Sequence, residues 1–227
     1  MMYKSTITPE ELEQLPVAEF PGEITVIDAI DEKFQESIDY LKGQKIIGFD
    51  TETRPSFTAN TKRNLVALLQ LSGKERAYIY RLHSTGLNED LVKILSNPRI
   101  IKVGAAVTDD IRSLQHHTKF VPKGFVDLQS IASGWGIEEK SVRKMAAIIL
   151  GVRVSKSQQL SNWESSDLTV AQINYAAVDA WVCQRMYLKL LSSPKLKIKS
   201  TNRKQTAPIS APTSAPVNIK VPVKQPE

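Results

Sequence analysis

The sequence is nearly free of cysteine and has no long apolar run. Its 227 residues include a single cysteine, Cys183, which excludes an intramolecular disulfide and any multi-cysteine metal site. No stretch approaches the roughly 18 to 20 apolar residues that a membrane-spanning helix needs. The opening MMYKSTITPEEL also lacks the apolar segment of a secretory signal. These absences favour a reducing intracellular compartment, and we expect a cytoplasmic protein.

Histidine is also scarce. The three histidines, His83, His116 and His117, have no matching cysteine or histidine partners that would complete a zinc site. We therefore expect them to be surface residues. The sequence also contains no internal repeat.

The net charge of +6 is unevenly distributed along the chain. Seven Lys or Arg residues and one acid lie within 195–227, which leaves 23 basic and 23 acidic residues in the rest. From about Ser192 the composition shifts to Lys, Thr, Ser, Ala and Pro. Such a segment cannot bury enough surface to offset its chain entropy, so 193–227 is predicted to be a disordered basic tail. A basic tail on a neutral body suggests a polyanionic partner, although many charge runs are simply solvated.

Strands and helices alternate over the rest of the chain. A capping box formed by Thr8 and Glu11 predicts a short lead-in helix within residues 1–23. The predicted strands are ITVID (24–28), KIIGFDTET (45–53), VALLQLS (66–72), ERAYIYRL (75–82) and IIKVGAAV (100–107). The second, third and fourth of these are predicted to form an antiparallel or mixed meander. The predicted helices cover 31–43, 87–98, a segment from Thr108, two segments after Phe125, and a long run capped by Thr169. This order predicts a three-layer α/β or α+β domain over residues 24–192.

Two acids follow the buried strand that begins IIGF. Asp50 and Glu52 are two residues apart, so on a strand their side chains point to the same face. Two like charges repel, and removing them from water costs several kcal/mol unless a positive group compensates. Arg54 is the only basic residue close by in the sequence. The compensating charge must therefore come from elsewhere in the fold or from a metal ion.

Further acids occur at a second strand end and on the last predicted helix. Asp109 and Asp110 follow the strand IIKVGAAV, where an acid commonly caps the next helix. Only one of them is needed as a cap. Tyr175 and Asp179 are four residues apart and share a face of the long helix, which is otherwise largely apolar. Asp179 is thus either at the edge of the apolar stripe or functional.

Taken together, four acids could surround one site for hard cations. They are Asp50, Glu52, Asp110 and Asp179. Oxygen ligands of this kind suit Mg²⁺ or Mn²⁺. Two such ions, about 3.5 to 4 Å apart, would supply the missing positive charge and hold a phosphodiester for in-line attack by water.

Three segments resemble, in order and spacing, the exonuclease motifs of the DEDD superfamily of 3′–5′ exonucleases. They are FDTET (49–53), VGAAVTDDIRSL (103–114) and YAAVD (175–179), and the run LGVRVSKSQQLSNWESSDLTVAQINYAAVDAW (150–181) is similar as well. The chain most resembles the tyrosine subgroup, which includes ribonuclease D and the exonuclease domain of the Werner syndrome protein. The resemblance covers about residues 24–190. It implies a ribonuclease H-like three-layer fold, with a mixed central sheet flanked by helices, and a metal-dependent 3′–5′ exonuclease with two ions.

The resemblance also implies roles for single residues. Asp50 and Glu52 match the acids of the first motif, and Asp50 would touch both ions. In the second motif the spacing to Gly104 and Leu114 selects Asp110 as the metal ligand, and this leaves Asp109 as a helix cap.

The third motif supplies the remaining two site residues. Tyr175 would position the attacking water, and Asp179 would be the fourth metal ligand. A sibling subgroup has a histidine five residues before the last acid, whereas this chain has Asn174 there. The tyrosine subgroup is therefore the better match.

Contacts with the substrate are predicted from residue type alone. The candidates are Phe57, Arg143, Lys144, Lys156 and Trp163. Each is also readily explained as an exposed charge or an anchoring aromatic. The substrate is expected to be the 3′ end of DNA or RNA, and no spacing separates the two polymers.

Two other functions stay open at this stage. The first is a catalytically silent nucleic-acid-binding module of the same fold, although degenerate members usually lose one of the acids. The second is a Mg²⁺-dependent sugar-nucleotide transferase with a D-x-E motif, which would leave Tyr175 and Asp110 without a role.

Overall fold

The computed structural model describes residues 2–56 and 64–196. Its strands are β1 (Glu23–Ile27), β2 (Ile46–Thr53), β3 (Val66–Ser72), β4 (Arg76–Arg81), β5 (Ile101–Gly104) and β6 (Phe125–Asp127). Its helices are α1 (Pro9–Glu13), α2 (Glu32–Lys42), α3 (Leu82–Thr85), α4 (Glu89–Leu95), α5 (Val107–Leu114), α6 (Leu128–Ile131), α7 (Val142–Leu150) and α8 (Val170–Leu191), with a 3-10 helix at Ala132–Trp135. Within these two ranges, no helix combines the length and the apolarity that crossing a bilayer requires.

The six strands form one mixed sheet in the order β1-β4-β3-β2-β5-β6. The neighbours β2, β3 and β4 pair antiparallel, which confirms the predicted meander. The pairs β1–β4, β2–β5 and β5–β6 are parallel. The predicted α/β class with a mixed central sheet is therefore confirmed.

Helices cover both faces of the sheet, so the domain has three layers. One face packs Phe49 and Leu69 into a core with residues of α2 and α4, among them Phe34 and Leu91. On the opposite face, Leu68 and Ile79 form a core with alanines of α8. Successive side chains of β2 and β3 point to opposite faces of the sheet, so each strand contributes residues to both cores.

Helix α8 lies very close to β2 because Gly48 has no side chain. A β-carbon at Gly48 would stand 1.8 Å from the carbonyl oxygen of Ala180. Ala180 directly follows Asp179 in α8, so this contact sets how near Asp179 comes to the end of β2. The position of the site thus depends on backbone contact between a strand and a helix.

Two predicted elements differ from the structure. The strand predicted over 100–107 ends at Gly104, and Ala106 adopts a left-handed conformation with φ of 58°. The strand is predicted to extend to Val107 because residues 105–107 are apolar. In the structure, residues 105 and 106 form the turn into α5, and Val107 is the first residue of that helix. The region from Phe125, predicted as helical throughout, begins with β6, which is too short at three residues to show a strand period.

The N-terminal lead-in packs onto the body of the domain. The capping boxes of α1 and α8 are confirmed: in each, the N-cap threonine accepts from the third backbone N–H of the helix. The Ala18 N–H donates to the carbonyl oxygen of Arg153 at 2.8 Å.

The chain up to Leu196 is one compact unit. The boundaries predicted near residues 24 and 192 stay predictions, and residues 197–227 lie outside the described part.

Candidate active site

Three of the four predicted acids lie together at the end of β2. One carboxylate oxygen from each of Asp50, Glu52 and Asp179 lies within 4.8 Å of the others. Asp50 and Glu52 are partly buried on the sheet face that carries α8, and Asp179 is buried at 9% exposure. Among the described residues, no salt bridge involves any of these acids or Asp110. The cluster is a compact set of oxygen ligands, and no basic side chain in 2–56 or 64–196 forms a salt bridge with it.

Burial and mutual repulsion raise the pKa values of this cluster. Burial, followed by the charges of Asp179, Glu52 and Asp110, raises the pKa of Asp50 well above its ordinary value. Burial, followed by the charges of Asp179 and Asp110, raises the pKa of Glu52 to about 9, and burial raises that of Asp179 to about 7. In the absence of a cation, burial and mutual repulsion therefore favour the protonated forms of these groups. A divalent cation would stabilise their ionised forms, and the all-oxygen donor set fits a hard cation.

Asp110 reaches the site from the other side of the sheet. It lies in the first turn of α5, and its Oδ1 accepts a hydrogen bond of 2.6 Å from the Thr51 hydroxyl. Burial raises the pKa of Asp110 to about 6, and the Thr51 hydrogen bond opposes that shift. Asp110 is outside the group of three, yet its charge contributes to the raised pKa values of Asp50 and Glu52. It therefore adjoins the cluster.

The predicted capping role of Asp109 is wrong. The N-cap of α5 is Ala106, which supplies no side-chain cap. Its N–H instead donates to Oδ1 of Asp127 at 3.2 Å. The actual N-cap lies three residues before Asp109, so Asp109 falls inside the helix, where it is exposed and forms a salt bridge of 3.3 Å with Arg112.

Tyr175 stands one helical turn before Asp179 on α8. Its hydroxyl and the Asp179 carboxyl lie close enough to shift each other's pKa values. Burial and the neighbouring carboxylates Asp179, Glu52 and Asp50 raise the pKa of the phenol. Tyr175 therefore keeps its proton at physiological pH and lies beside the acid cluster.

The predicted substrate contact of Trp163 is wrong. Trp163 is fully buried, and its ring packs against that of Tyr175 at a centroid distance of 5.8 Å. It holds the tyrosine in place and cannot reach a substrate from the surface. Of the two explanations open for this residue, the anchoring aromatic is the correct one.

The other residues predicted to contact the substrate differ in their surroundings. Arg143 pairs with Glu13, and Lys144 forms a salt bridge of 3.0 Å with Glu139, so both charges are engaged within the protein. Lys156 is exposed. Phe57 lies outside the described residues, and its predicted contact stays a prediction.

Three residues near the acids were missed in the sequence. Thr51 binds Asp110, and Asp127 at the end of β6 accepts from the backbone at the start of α5. Gln70 is buried in β3 opposite Asp50. Two of them could have been found from the sequence. Asp127 is an acid at a strand end, like Asp50 and Asp110, and Gln70 is the one strongly polar residue in VALLQLS. Thr51 could not have been found in this way, since threonine is common in strands.

This fold and this acid cluster define the chain as a 3′–5′ exonuclease domain. The sequence profile of the protein family described as 3′–5′ exonuclease matches residues 26–194. The chain belongs to that family.

Named relatives agree with this assignment. The chain is 31% identical over 187 residues to the bifunctional 3′–5′ exonuclease/ATP-dependent helicase WRN of Mus musculus, an alignment that covers 78% of this chain and 13% of that protein. It is 33% identical over 150 residues to exonuclease 3′–5′ domain-containing protein 2 of Drosophila melanogaster, covering 64% of this chain and 25% of the relative. The chain thus spans a quarter or less of the length of these two relatives.

A solved structure shows the same fold. The crystal structure of Escherichia coli RNase D superposes with a TM-score of 0.67 at 24% identity, over 74% of this chain and 44% of the other. At that identity the likeness concerns the fold, and it confirms a mixed sheet flanked by helices.

Proposed function

We propose that this chain is a divalent-metal-dependent 3′–5′ exonuclease acting on the 3′ ends of DNA or RNA. The observation that carries the proposal is the grouping of Asp50, Glu52 and Asp179 with their oxygens within 4.8 Å. Membership of the exonuclease family supports it. The cytoplasmic location expected from the sequence stays a prediction.

The acids fit two ions of Mg²⁺ or Mn²⁺. Asp50, Glu52 and Asp179 would hold one ion, and Asp50 with Asp110 would hold the second. Bound cations of this class neutralise charge on a phosphate and lower the pKa of a coordinated water. The absence of sulfur and imidazole from the cluster argues for a hard cation rather than zinc.

The chain's own residues orient the reaction. Tyr175 keeps its proton and lies beside Asp179, so we assign it to hold the attacking water. The water oxygen attacks the last phosphorus, and the bond from that phosphorus to the 3′ oxygen of the preceding nucleotide breaks. The leaving oxygen takes up a proton. The products are a nucleoside 5′-monophosphate and a chain shortened by one nucleotide.

The competing functions are less well supported. A silent binding module would be expected to have lost an acid or the tyrosine, whereas all five are present. Three of the acids are clustered, and the fourth, Asp110, is hydrogen-bonded to Thr51. A sugar-nucleotide transferase is inconsistent with the family match over residues 26–194.

The decisive test is an exonuclease assay with a variant of the central acid. A 3′-recessed DNA duplex and a single-stranded RNA, each labelled at the 5′ end, are incubated with Mg²⁺ or Mn²⁺. We expect a ladder that shortens from the 3′ end with at least one of them, and none with EDTA or with Asp50→Asn. That substitution preserves shape but removes the charge that would hold both ions.

Asp109→Asn is the matched control, because Asp109 is an exposed acid next to Asp110 in sequence. It should leave the ladder intact. An active Asp50→Asn protein would contradict the proposed site. Tight binding of both substrates without any ladder would favour the silent module.

A further inference from the structure

Gln70 is a buried amide without a hydrogen-bond partner. It lies in the middle of β3 at 1% exposure, among leucines. Neither its Oε1 nor its Nε2 forms a hydrogen bond within the part of the chain that the structure describes. Buried polar groups are nearly always paired, so an amide of this kind needs an explanation. A leucine would fill the same volume without leaving an amide unpaired.

The strand register places Gln70 opposite a candidate metal ligand. Gln70 pairs with Asp50 of β2 on one side and with Ile79 of β4 on the other. Residues directly opposite each other in antiparallel strands share a face, with β-carbons about 4.5 to 5.5 Å apart. A glutamine side chain is long enough to bring its amide to a carboxylate at that spacing.

The other neighbours of Gln70 offer few acceptors. Leu68, two residues before it on the same face, and Ile79 beside it are apolar. The Ser72 hydroxyl donates to the Gly73 carbonyl oxygen at 3.0 Å, and it can also accept. Ser72 is two residues away along β3, about 6.8 Å, and Glu52 is only the diagonal neighbour of Gln70 on β2, so both are farther than the residue directly opposite. The Asp50 carboxylate is therefore the acceptor that the register brings nearest.

An ionised carboxylate that binds a cation still has lone pairs to satisfy. It only accepts hydrogen bonds, and it has about four acceptor positions, more than a cation occupies. Groups that donate to a metal ligand fix its orientation, and their loss typically weakens metal affinity or activity by about 10- to 100-fold.

We propose that Gln70 is a positioning residue, whose Nε2 donates to the Asp50 carboxylate when that carboxylate holds a divalent cation. The hydrogen bond fixes which oxygen faces the cation. This inference rests on the proposed function, because it requires the acid cluster to be a metal site. Gln70 itself touches neither substrate nor reacting atoms.

The first test measures cation affinity without substrate. Mn²⁺ is titrated into the full-length protein, and free Mn²⁺ is followed by electron paramagnetic resonance. Gln70→Leu should bind Mn²⁺ about 10- to 100-fold more weakly than the wild type. Its melting temperature in EDTA should not fall, because the variant removes a buried amide that has no partner in the cation-free protein.

Gln184→Leu is the matched control. Gln184 is also a buried glutamine, at 3% exposure, but its Nε2 donates to the Ile46 carbonyl oxygen at 2.8 Å. Its loss should lower the melting temperature and leave Mn²⁺ affinity unchanged. The two variants therefore separate a role in cation binding from a role in stability.

The second test follows the glutamine itself and does not depend on a stable variant. In amide NMR spectra of the wild type, addition of Mg²⁺ should move the side-chain NH₂ resonances of Gln70 and leave those of Gln184 in place. Equal Mn²⁺ affinity of Gln70→Leu and wild type, or Gln70 resonances unmoved by saturating Mg²⁺, would overturn the inference alone. A wild-type protein that binds no divalent cation would overturn the proposed function together with it.

Discussion

At the scale of single residues, the site depends on a hydroxyl group as well as on carboxylates. Thr51 lies between Asp50 and Glu52 in sequence, and by strand alternation its side chain points to the opposite face. There it donates to Asp110 at 2.6 Å. One strand thus presents two acids on one face and orients a third from the other.

Thr51→Val should impair catalysis with little effect on folding. Valine has nearly the same shape but cannot donate, so Asp110 loses the hydrogen bond that opposes its raised pKa. We expect about a 10-fold loss of kcat/KM. The loss should be greater at pH 6 than at pH 8, since a higher pKa leaves more Asp110 protonated at the lower pH.

Steady-state rates on a short oligonucleotide at both pH values test this expectation. Thr51→Ser keeps the hydroxyl and should retain most of the activity. A Thr51→Val protein with the wild-type rate and pH profile would show that the hydrogen bond is dispensable.

Residue spacing predicted part of the site because local geometry determines it. The shared face of Asp50 and Glu52 follows from the two-residue period of a strand, and that of Tyr175 and Asp179 from the turn of a helix. The buried state of Trp163 follows from no such local rule. It depends on how the segment before α8 packs, which spacing along the chain does not encode.

At the scale of elements, the site is assembled by the contact of α8 with β2. Gly48 provides the space for this contact, with the Ala180 carbonyl oxygen only 1.8 Å from where a β-carbon would stand. Any side chain at residue 48 must push α8 away from the strand. Asp179 would move with the helix.

Gly48→Ala should therefore reduce both stability and activity. Overpacking of this kind typically costs about 1 to 3 kcal/mol. We expect a lower free energy of unfolding, measured by urea denaturation, and a loss of exonuclease rate even at temperatures where the variant is fully folded. Gly134→Ala is the control, because a β-carbon there would meet no atom within 4 Å. A stable and fully active Gly48→Ala protein would show that the packing can relax without cost.

Long periodic elements could be predicted better than short or irregular ones. The strand VALLQLS is found at its predicted residues, 66–72, and the long helix begins after its predicted cap, Thr169. The turn at Ala106 and the three-residue strand β6 could not be predicted from periodicity. Both are determined by the chain's path beside β5, which is a tertiary effect.

At the scale of the whole molecule, the acid cluster links stability to pH and to divalent cations. The carboxyl groups of Asp50, Glu52, Asp110 and Asp179 all have pKa values raised by folding. Groups of this kind bind more protons in the folded state than in the unfolded state. Their contribution to stability is complete below the unfolded pKa and is lost as pH rises through the folded one.

The metal-free protein should therefore become less stable between pH 4.5, the ordinary pKa of glutamate, and pH 9, near that of Glu52 in the fold. Mg²⁺ or Mn²⁺ should raise the melting temperature, and the increase should be larger at pH 8 than at pH 6, because cations bind the ionised acids. Thermal melts in EDTA and in excess cation at several pH values measure this. A cation effect that is independent of pH, or still present in Asp50→Asn, would contradict it.

The chain order of the acids has a consequence for biosynthesis. Asp50 lies on the second strand, whereas Asp179 lies on the last described helix, 129 positions later. A ribosome that has synthesised the whole sheet has still not delivered α8, so a nascent chain at that stage has no complete nuclease site.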